Sequence, residues 1–456
     1  MQRIAFRPKI NHMELRHVFI NIYTQTVKDG EKMILYNGKI YPEGEQEGLL
    51  NSLEKDVNRT LEGFTLNSDK VIEAADRLAR QLEMEGTELF SGADEGMIQL
   101  AADSLRGENL RFRLKRELGK NYGKESVYEP AYGLDEVKVR LAPLGVIFHI
   151  AAGNADVLPA FSVFEGLLTG NVNILKLPQG DSGITVEIFR RLLEEAPELA
   201  PYIYIFDTPS SDVKAMEKMA SIADGIAVWG GDEAVKAVRR LAHPGVKLIE
   251  WGHRLSFAYV SGFENKTAEL TALAEHIIST KQLLCSSCQT IFIDTDKMSE
   301  VKEFCRELLP YLDSAAERLG FDEIGSYAEM TLRSYSARLE NHLGRKQDRF
   351  ILNGRRCSVT ACTDSELELS YMYGNVLVKP LPADDILPQL RKCKGYLQTA
   401  GLICAPSRRP QLTEILVRSG VNRIMRAGNM SATFCGEAHD GEYPLRRYKR
   451  IINTEV

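Results

Sequence analysis

Pro143-Leu-Gly-Val-Ile-Phe-His-Ile-Ala-Ala-Gly-Asn154 reads as a buried strand that runs into a small-residue turn. Val146–Ile150 is rich in β-branched and aromatic residues, which suit a pleated strand, and a helical segment follows at 156–168. The same unit then recurs. Strand-type runs at Val172–Leu177, Ile203–Phe206, Gly225–Trp229 and Val246–Ile249 alternate with helical segments at 182–195, 211–221 and 232–241. Such alternation predicts an α/β fold with a doubly wound parallel sheet. Sheets of this kind bind ligands beyond the carboxyl ends of their strands.

Downstream the alternation restarts. A strand at 256–260 precedes a helix at 266–280, a strand at 289–294 and a helical stretch at 298–319, with later strands near 350–353, 375–379 and 400–404. This is a second α/β domain, and the boundary falls near His253-Arg254. Upstream, Ile72, Ala75, Leu78, Ala79 and Leu82 recur at three- and four-residue steps, the signature of a one-faced helix over Ser68–Glu88. A second helical stretch covers 98–118. Residues 1–60 carry the turn signals Asp29-Gly30, Asn37-Gly38 and Pro42-Glu-Gly44, and read as an arm or short strands. The chain therefore divides into 1–60, a nucleotide-binding domain at 61–253, a cysteine-bearing domain at 254–426 and a C-terminal segment at 427–456.

The totals exclude several functions. A length of 456 residues exceeds one core. A net charge of −6 gives no overall attraction to nucleic acid or anionic lipid. The basic run Arg446-Arg447-Tyr448-Lys449-Arg450 is local and reads as a solvated or subunit-facing segment. No apolar run reaches the ~18 residues that a membrane span needs. Eight cysteines are too few for a disulfide scaffold, so a reduced, cytoplasmic chain is expected.

The chemistry-bearing stretch is Lys281-Gln-Leu-Leu-Cys-Ser-Ser-Cys-Gln-Thr-Ile-Phe-Ile-Asp294. It sets Cys285 on a small-residue loop between a helix and a strand, where a thiolate can attack a carbonyl carbon. Four upstream strand ends can converge on it. Asn154 can donate an amide hydrogen bond to an oxyanion, or simply cap the next helix. Lys176 ends an apolar strand and can reach a ribose or phosphate oxygen, or snorkel to water. Trp229-Gly230-Gly231 precedes a helix whose first amides can receive a pyrophosphate, although a bare Gly-Gly is usually a turn. Glu250 follows a hydrophobic strand, where partial burial would make it a usable base; a surface carboxylate is the alternative. Cys288 either fills an apolar gap or pairs with Cys285 under oxidation. The Cys-Ser-Ser-Cys run has no second half-site for a tetrahedral metal, so none is expected.

The order Asn154, Lys176, Gly230-Gly231, Glu250 and Cys285 resembles the aldehyde dehydrogenase superfamily over about residues 65–456. Within it the chain is most similar to the LuxC-type acyl-CoA reductases. The carrying phrases are Pro143–Asn154, Gly170-Asn-Val-Asn-Ile-Leu-Lys176, Val228-Trp-Gly-Gly-Asp-Glu233, Asn422-Arg-Ile424 and His439-Asp-Gly441. The resemblance implies an aldehyde dehydrogenase-like fold of two doubly wound domains, with an oligomerisation arm near 125–140 that joins the C-terminal segment in a homo-oligomer. It makes Cys285 the nucleophile, Asn154 and the Cys285 amide the oxyanion donors, and Glu250 the base. Lys176, Trp229, Gly230 and Gly231 would line the cofactor.

Two departures bear on that cofactor. Tyr371-Met-Tyr-Gly374 replaces the family's Glu-x-Phe-Gly, which leaves Tyr373 to stack on the nicotinamide. Gln179 replaces a glutamate that would repel a 2′-phosphate, so NADPH is expected and NADH is admissible. The implied reaction is reduction of an acyl thioester, from acyl-CoA or an acyl-protein, to an aldehyde, with an acyltransferase or acyl-protein synthetase as a candidate partner. The alternatives are an aldehyde dehydrogenase that oxidises aldehyde to acid, or a non-catalytic acyl-binding subunit.

Overall fold

A computed structural model describes residues 33–63, 66–89, 95–152, 157–319, 324–343 and 349–455. Its strands begin with a hairpin, β1 (Met33–Tyr36) and β2 (Lys39–Pro42), and continue through β3 (Ser126–Tyr128) and β4 (Val137–Pro143). Next come β5 (Val146–Ile150), β6 (Val172–Lys176), β7 (Ile203–Phe206), β8 (Gly225–Trp229) and β9 (Lys247–Trp251). These five are parallel in the order β7-β6-β5-β8-β9, and the hairpin extends the β7 edge antiparallel. Every residue of β5 and β6 is buried. Helices on both faces of the sheet explain why these strands read as near-continuous apolar runs. The winding reverses at β5, so the carboxyl ends of β5 and β8 flank the crevice where such sheets bind ligands.

The second sheet holds β10 (Leu255–Ser261), β11 (Cys288–Ile293), β12 (Phe350–Asn353), β13 (Ser358–Ala361), β14 (Asn375–Pro380), β15 (Leu397–Cys404) and β16 (Arg423–Arg426). Its order is β12-β13-β14-β11-β10-β15-β16, and all pairs are parallel except β12 with β13. A third sheet joins β17 (Lys449–Glu455) to β4 and β4 to β3, antiparallel throughout. The described residues thus hold two large α/β sheet units and one small antiparallel sheet.

Chain geometry fixes how the two large sheets meet. Only Gly252, His253 and Arg254 separate the end of β9 from the start of β10. Four extended steps reach roughly 14 Å at most. The carboxyl end of β9 therefore lies close to the amino end of β10. The Tyr396 hydroxyl donates to Asp232 Oδ2 at 2.9 Å across this junction.

One expectation needs correction. Residues 46–61 are a helix, Gln46–Leu61, rather than arm or short strands. Leu50, Leu53 and Val57 form its buried stripe at three- and four-residue spacing and pack on the first sheet's core. The turn signals end at Gly44, and that periodicity begins just after them. The expectation for residues 1–32 lies outside the described residues.

A buried ion cluster ties down the C-terminal segment. Arg113 donates to Glu117 Oε1 at 2.9 Å and to Glu165 Oε1 at 2.8 Å. Glu117 Oε2 accepts the Leu445 amide at 2.9 Å. Among the described residues, no helix is long and apolar enough to cross a membrane.

Candidate active site

The cysteine loop is held by an unusual backbone. The helix Lys266–Ser279 ends at Thr280, and Lys281 and Gln282 follow with φ of 50° and 58°. Met372 and Tyr373 mirror them at 61° and 50°. Non-glycine residues in this region cost about 1–3 kcal/mol each and persist only where their surroundings enforce them. The two strained turns enforce each other. The Tyr373 amide donates to the Lys281 carbonyl at 2.9 Å, and the Gly374 amide to Gln282 Oε1 at 3.2 Å. Gln282 Nε2 in turn donates to the Cys288 carbonyl at 2.9 Å, and Gln289 Nε2 to the Gln282 carbonyl at 2.8 Å.

Cys285 sits three residues before β11 and is exposed. Its carbonyl accepts from Ser256 Oγ at 2.7 Å, and that hydroxyl also accepts the Thr399 amide at 3.1 Å. The loop is thereby bolted to the amino ends of β10 and β15. Surrounding protein lifts the Cys285 thiol above its ordinary range, opposed by a hydrogen bond from Gln398. The Asp440 charge adds to the rise, and the backbone amides of Ser286 and Cys285 itself counter it. Cys288 differs completely. It is fully buried in the apolar core between β11 and its covering helices, its thiol faces the Thr290 carbonyl at 3.6 Å, and burial pushes it up to about 12.

Each predicted residue of the first sheet can now be placed. Lys176 ends β6, is 3% exposed, and donates to Ser210 Oγ at 3.0 Å. Burial pulls its ammonium below the ordinary range, and Asp207 partly restores it. Gln179 is exposed just beyond it. The Trp229 indole N–H donates to Ser162 Oγ at 3.1 Å. The Gly230 amide donates to the Trp251 carbonyl at 3.1 Å, and Gly231 is the N-cap of the helix Asp232–Leu241 without a side-chain cap. Asn154 lies outside the described residues.

Two further predicted residues engage neighbours of their own. Both carboxylate oxygens of Glu250 accept from Arg239, at 2.6 and 2.7 Å. The strand explains it: Ile249 and Trp251 take the buried face of β9, and Glu250 takes the opposite one, beside the helix that carries Arg239. The ring of Tyr373 is partly buried and lies 5.2 Å beneath the Arg333 guanidinium.

The structure adds residues that the motif reading passed over. Gln398, the second residue of β15, is 6% exposed and directs Nε2 at Cys285 Sγ, 3.4 Å away. The same nitrogen donates to Asp440 Oδ1 at 2.7 Å, and Asp440 Oδ2 accepts from Arg254 Nε at 2.8 Å. His439 packs against both Trp229 and Trp251, with ring centroids 5.2 and 5.0 Å away. Asn422 donates to the Asp440 carbonyl at 3.2 Å, and Gly441 has φ of 82°, where an added Cβ would be crowded at 2.9 Å from Asn422 Oδ1. The phrases Asn422-Arg-Ile424 and His439-Asp-Gly441, quoted for family likeness alone, are thus one contact beside the thiol. No spacing rule would have joined them to the thiol, because Asn422 precedes Asp440 by 18 residues and Gln398 precedes it by 42. Away from this site, Cys362, Asp364 and Glu368 cluster at ligand-like spacing. Lys379 bonds both carboxylates there, and Arg349 pairs with Glu368 as well.

Residues 66–451 match the family described as acyl-CoA reductase (LuxC). The chain belongs to the LuxC acyl-CoA reductase family. Similar proteins include the "Long-chain acyl-protein thioester reductase" of Aliivibrio fischeri, 25% identical over 337 residues that cover 70% of this chain and 65% of that protein. The protein of the same name from Photorhabdus luminescens is 23% identical over 352 residues, covering 75% and 69% respectively. The chain thus matches about two thirds of the length of these LuxC relatives. Among solved structures, an NAD-dependent benzaldehyde dehydrogenase from Corynebacterium glutamicum superposes with a TM-score of 0.69 at 14% identity, covering 94% of this chain and all of that one. The apo betaine aldehyde dehydrogenase of Staphylococcus aureus gives 0.68 at 14% identity, covering 94% and 93%. For a LuxC-family chain these two likenesses speak to the fold.

Proposed function

We propose that the protein reduces an acyl thioester to an aldehyde through an acyl-enzyme on Cys285. The observation that carries this reading is the placement of an exposed thiol, held by a strained and doubly braced loop, at the amino end of β10, which lies close to the carboxyl end of β9. Cys285 Sγ attacks the thioester carbonyl, and the donor leaves as its thiol. Asn154 and the Cys285 amide steady the oxyanion, a role in which losing one donor costs about 100–1,000-fold in rate. A nicotinamide cofactor, when bound, supplies the hydride that reduces the Cys285 thioester. The resulting thiohemiacetal collapses to aldehyde and free thiol.

The first sheet suits such a cofactor. An ammonium offers three N–H donors, and the buried Lys176 is poorly solvated at a strand end where ribose or phosphate oxygens would pair with it. Trp229, Gly230 and Gly231 form the end of β8, across β5 from Lys176, and a Cβ at Gly231 would meet nothing within 4 Å. Tyr373 would face the nicotinamide side, its ring backed by Arg333. Glu250 serves as a base only once released from Arg239. This engagement favours acyl transfer to thiol over the activation of water that an acid-forming aldehyde dehydrogenase needs.

The donor is acyl-CoA or an acyl-protein, the latter being the substrate named for the relatives from Aliivibrio fischeri and Photorhabdus luminescens. The open-edged sheet β3-β4-β17, with Val127, Tyr128 and Ile451 exposed, supports pairing with further copies in a homo-oligomer. The test is incubation with a panel of acyl thioesters, first without cofactor and then with NADPH. A mass increment of one acyl group, followed by aldehyde release, is expected. Carboxylate formed from aldehyde and NADP+, with no acyl adduct, would replace this reading with the oxidative one.

NADPH should be used at least as well as NADH, because Gln179 places no carboxylate near a 2′-phosphate. Gln179→Glu should raise the KM for NADPH several-fold while changing that for NADH little, since only the former brings added negative charge. A strong NADH preference in the unmodified protein would overturn the assignment.

A further inference from the structure

Beside the thiol lies a set of buried polar groups whose hydrogen-bond polarity runs one way. Arg254 only donates, a carboxylate only accepts, and an amide nitrogen only donates. Arg254 Nε gives to Asp440 Oδ2 at 2.8 Å, so Asp440 turns Oδ1 to Gln398. An oxygen facing an oxygen would be repulsive, so Gln398 must answer with Nε2. The second N–H of that nitrogen then falls on Cys285 Sγ at 3.4 Å. All three groups are well enclosed: Gln398 is 6% exposed, and the side chains of Asp440 and Arg254 are 3% and 18% exposed. Asp440 itself is fixed in a left-handed turn, φ 50°, which Asn422 holds through the Asp440 carbonyl.

We propose that Gln398 is a catalytic residue whose amide N–H stabilises the Cys285 thiolate, and that Asp440, oriented by Arg254, is the positioning residue that keeps this donor aimed at sulfur. The inference rests on Cys285 being the nucleophile. It assigns the thiolate a donor from β15, separate from the backbone amides of its own loop. A charge-assisted hydrogen bond of this kind is roughly twice as strong as a neutral one. The charged or titratable groups of this network around Cys285 are Asp440, Arg254 and His439, whose Nε2 lies 3.8 Å from Asp440 Oδ2.

Asp440 has two opposed effects, and they make the proposal testable by sign. Its negative charge alone disfavours a thiolate, so removing a mere bystander carboxylate would make Cys285 easier to ionise. Its hold on Gln398 does the reverse. In Asp440→Asn the residue at 440 must turn its oxygen to Arg254 and its NH2 to Gln398. Gln398 must then flip and present Oε1 to the sulfur, so the whole relay inverts.

The experiment measures the rate of Cys285 alkylation by iodoacetamide against pH, with the modified residue identified by mass spectrometry. Only the thiolate reacts, so the profile reads the Cys285 pKa directly. Gln398→Met and Asp440→Asn should both raise that pKa by about one unit or more, lowering the rate about tenfold at pH values below it. Thermal melting and an intact total-thiol count control for folding, and Gln398→Met alone keeps the donor role decidable should Asp440→Asn fold poorly. A lowered or unchanged pKa in folded Asp440→Asn overturns the positioning role, and an unchanged profile in Gln398→Met overturns the proposal entirely. The assay needs no acyl donor. An acyl group mapped to another residue would refute the reaction proposed above while leaving this measurement interpretable.

Discussion

Cys285→Ala should abolish both the acyl adduct and aldehyde formation, a loss on the order of 10⁴-fold or greater, as expected when a covalent nucleophile is removed. Cys288→Ala should keep the adduct. The two thiols are three residues apart but occupy opposite environments. Cys285 is exposed on the loop, whereas Cys288 is fully enclosed among core residues such as Ile277, Ile291 and Val376. Removing a buried sulfur leaves a small void, so Cys288→Ala should instead cost about 1–2 kcal/mol of stability. Intact-mass measurement after incubation with an acyl thioester separates the outcomes. A stable adduct on Cys288, or one that survives Cys285→Ala, would reverse the assignment.

Arg113→Met should destabilise the fold by about 3–5 kcal/mol, because breaking a buried ion cluster leaves charge uncompensated. Glu117 is fully buried, and Glu165 is 8% exposed. Burial already raises the Glu165 pKa, and Arg113 opposes that rise. Without Arg113 the folded-state pKa climbs further above the unfolded value of about 4.3. A carboxyl whose folded pKa is raised contributes its full relative stability below the unfolded pKa, and loses it as pH rises through the folded one. The variant should therefore lose less stability near pH 5 than near pH 8. Urea unfolding at both values checks this, and an equal loss at the two pH values would contradict it. Because Glu117 also accepts the Leu445 amide, the C-terminal segment should become protease-sensitive before the rest of the chain.

Local pattern was sufficient for most of the fold. Runs such as Val146–Ile150 and Val172–Lys176 are apolar throughout because both faces of their strands are covered, and that composition is visible without coordinates. The helix Gln46–Leu61 was equally readable from Leu50, Leu53 and Val57, but the turn signals before it drew the reading towards strands. The residues that bear on chemistry were legible only in part. Cys285, Lys176 and the Gly230-Gly231 turn announce themselves by standing at the ends of apolar strands.

Glu250 announces itself in the same way, yet its environment was not legible. Which face of β9 it takes, and that Arg239 waits there eleven residues upstream, depends on how a helix packs on the sheet. The sequence by itself determined two α/β sheets, their strand order in time, and a thiol placed just ahead of a strand. Only the tertiary structure decided what surrounds that thiol. A three-residue link keeps the carboxyl end of β9 close to the amino end of β10, and parallel pairing of β10 with β15 then sets Gln398 beside Cys285. The Asn422 and Asp440 contact brings a distant turn to the same point. Hydrogen bonds between groups 42 and 113 residues apart leave no periodicity in the chain, so they exist only once it has folded.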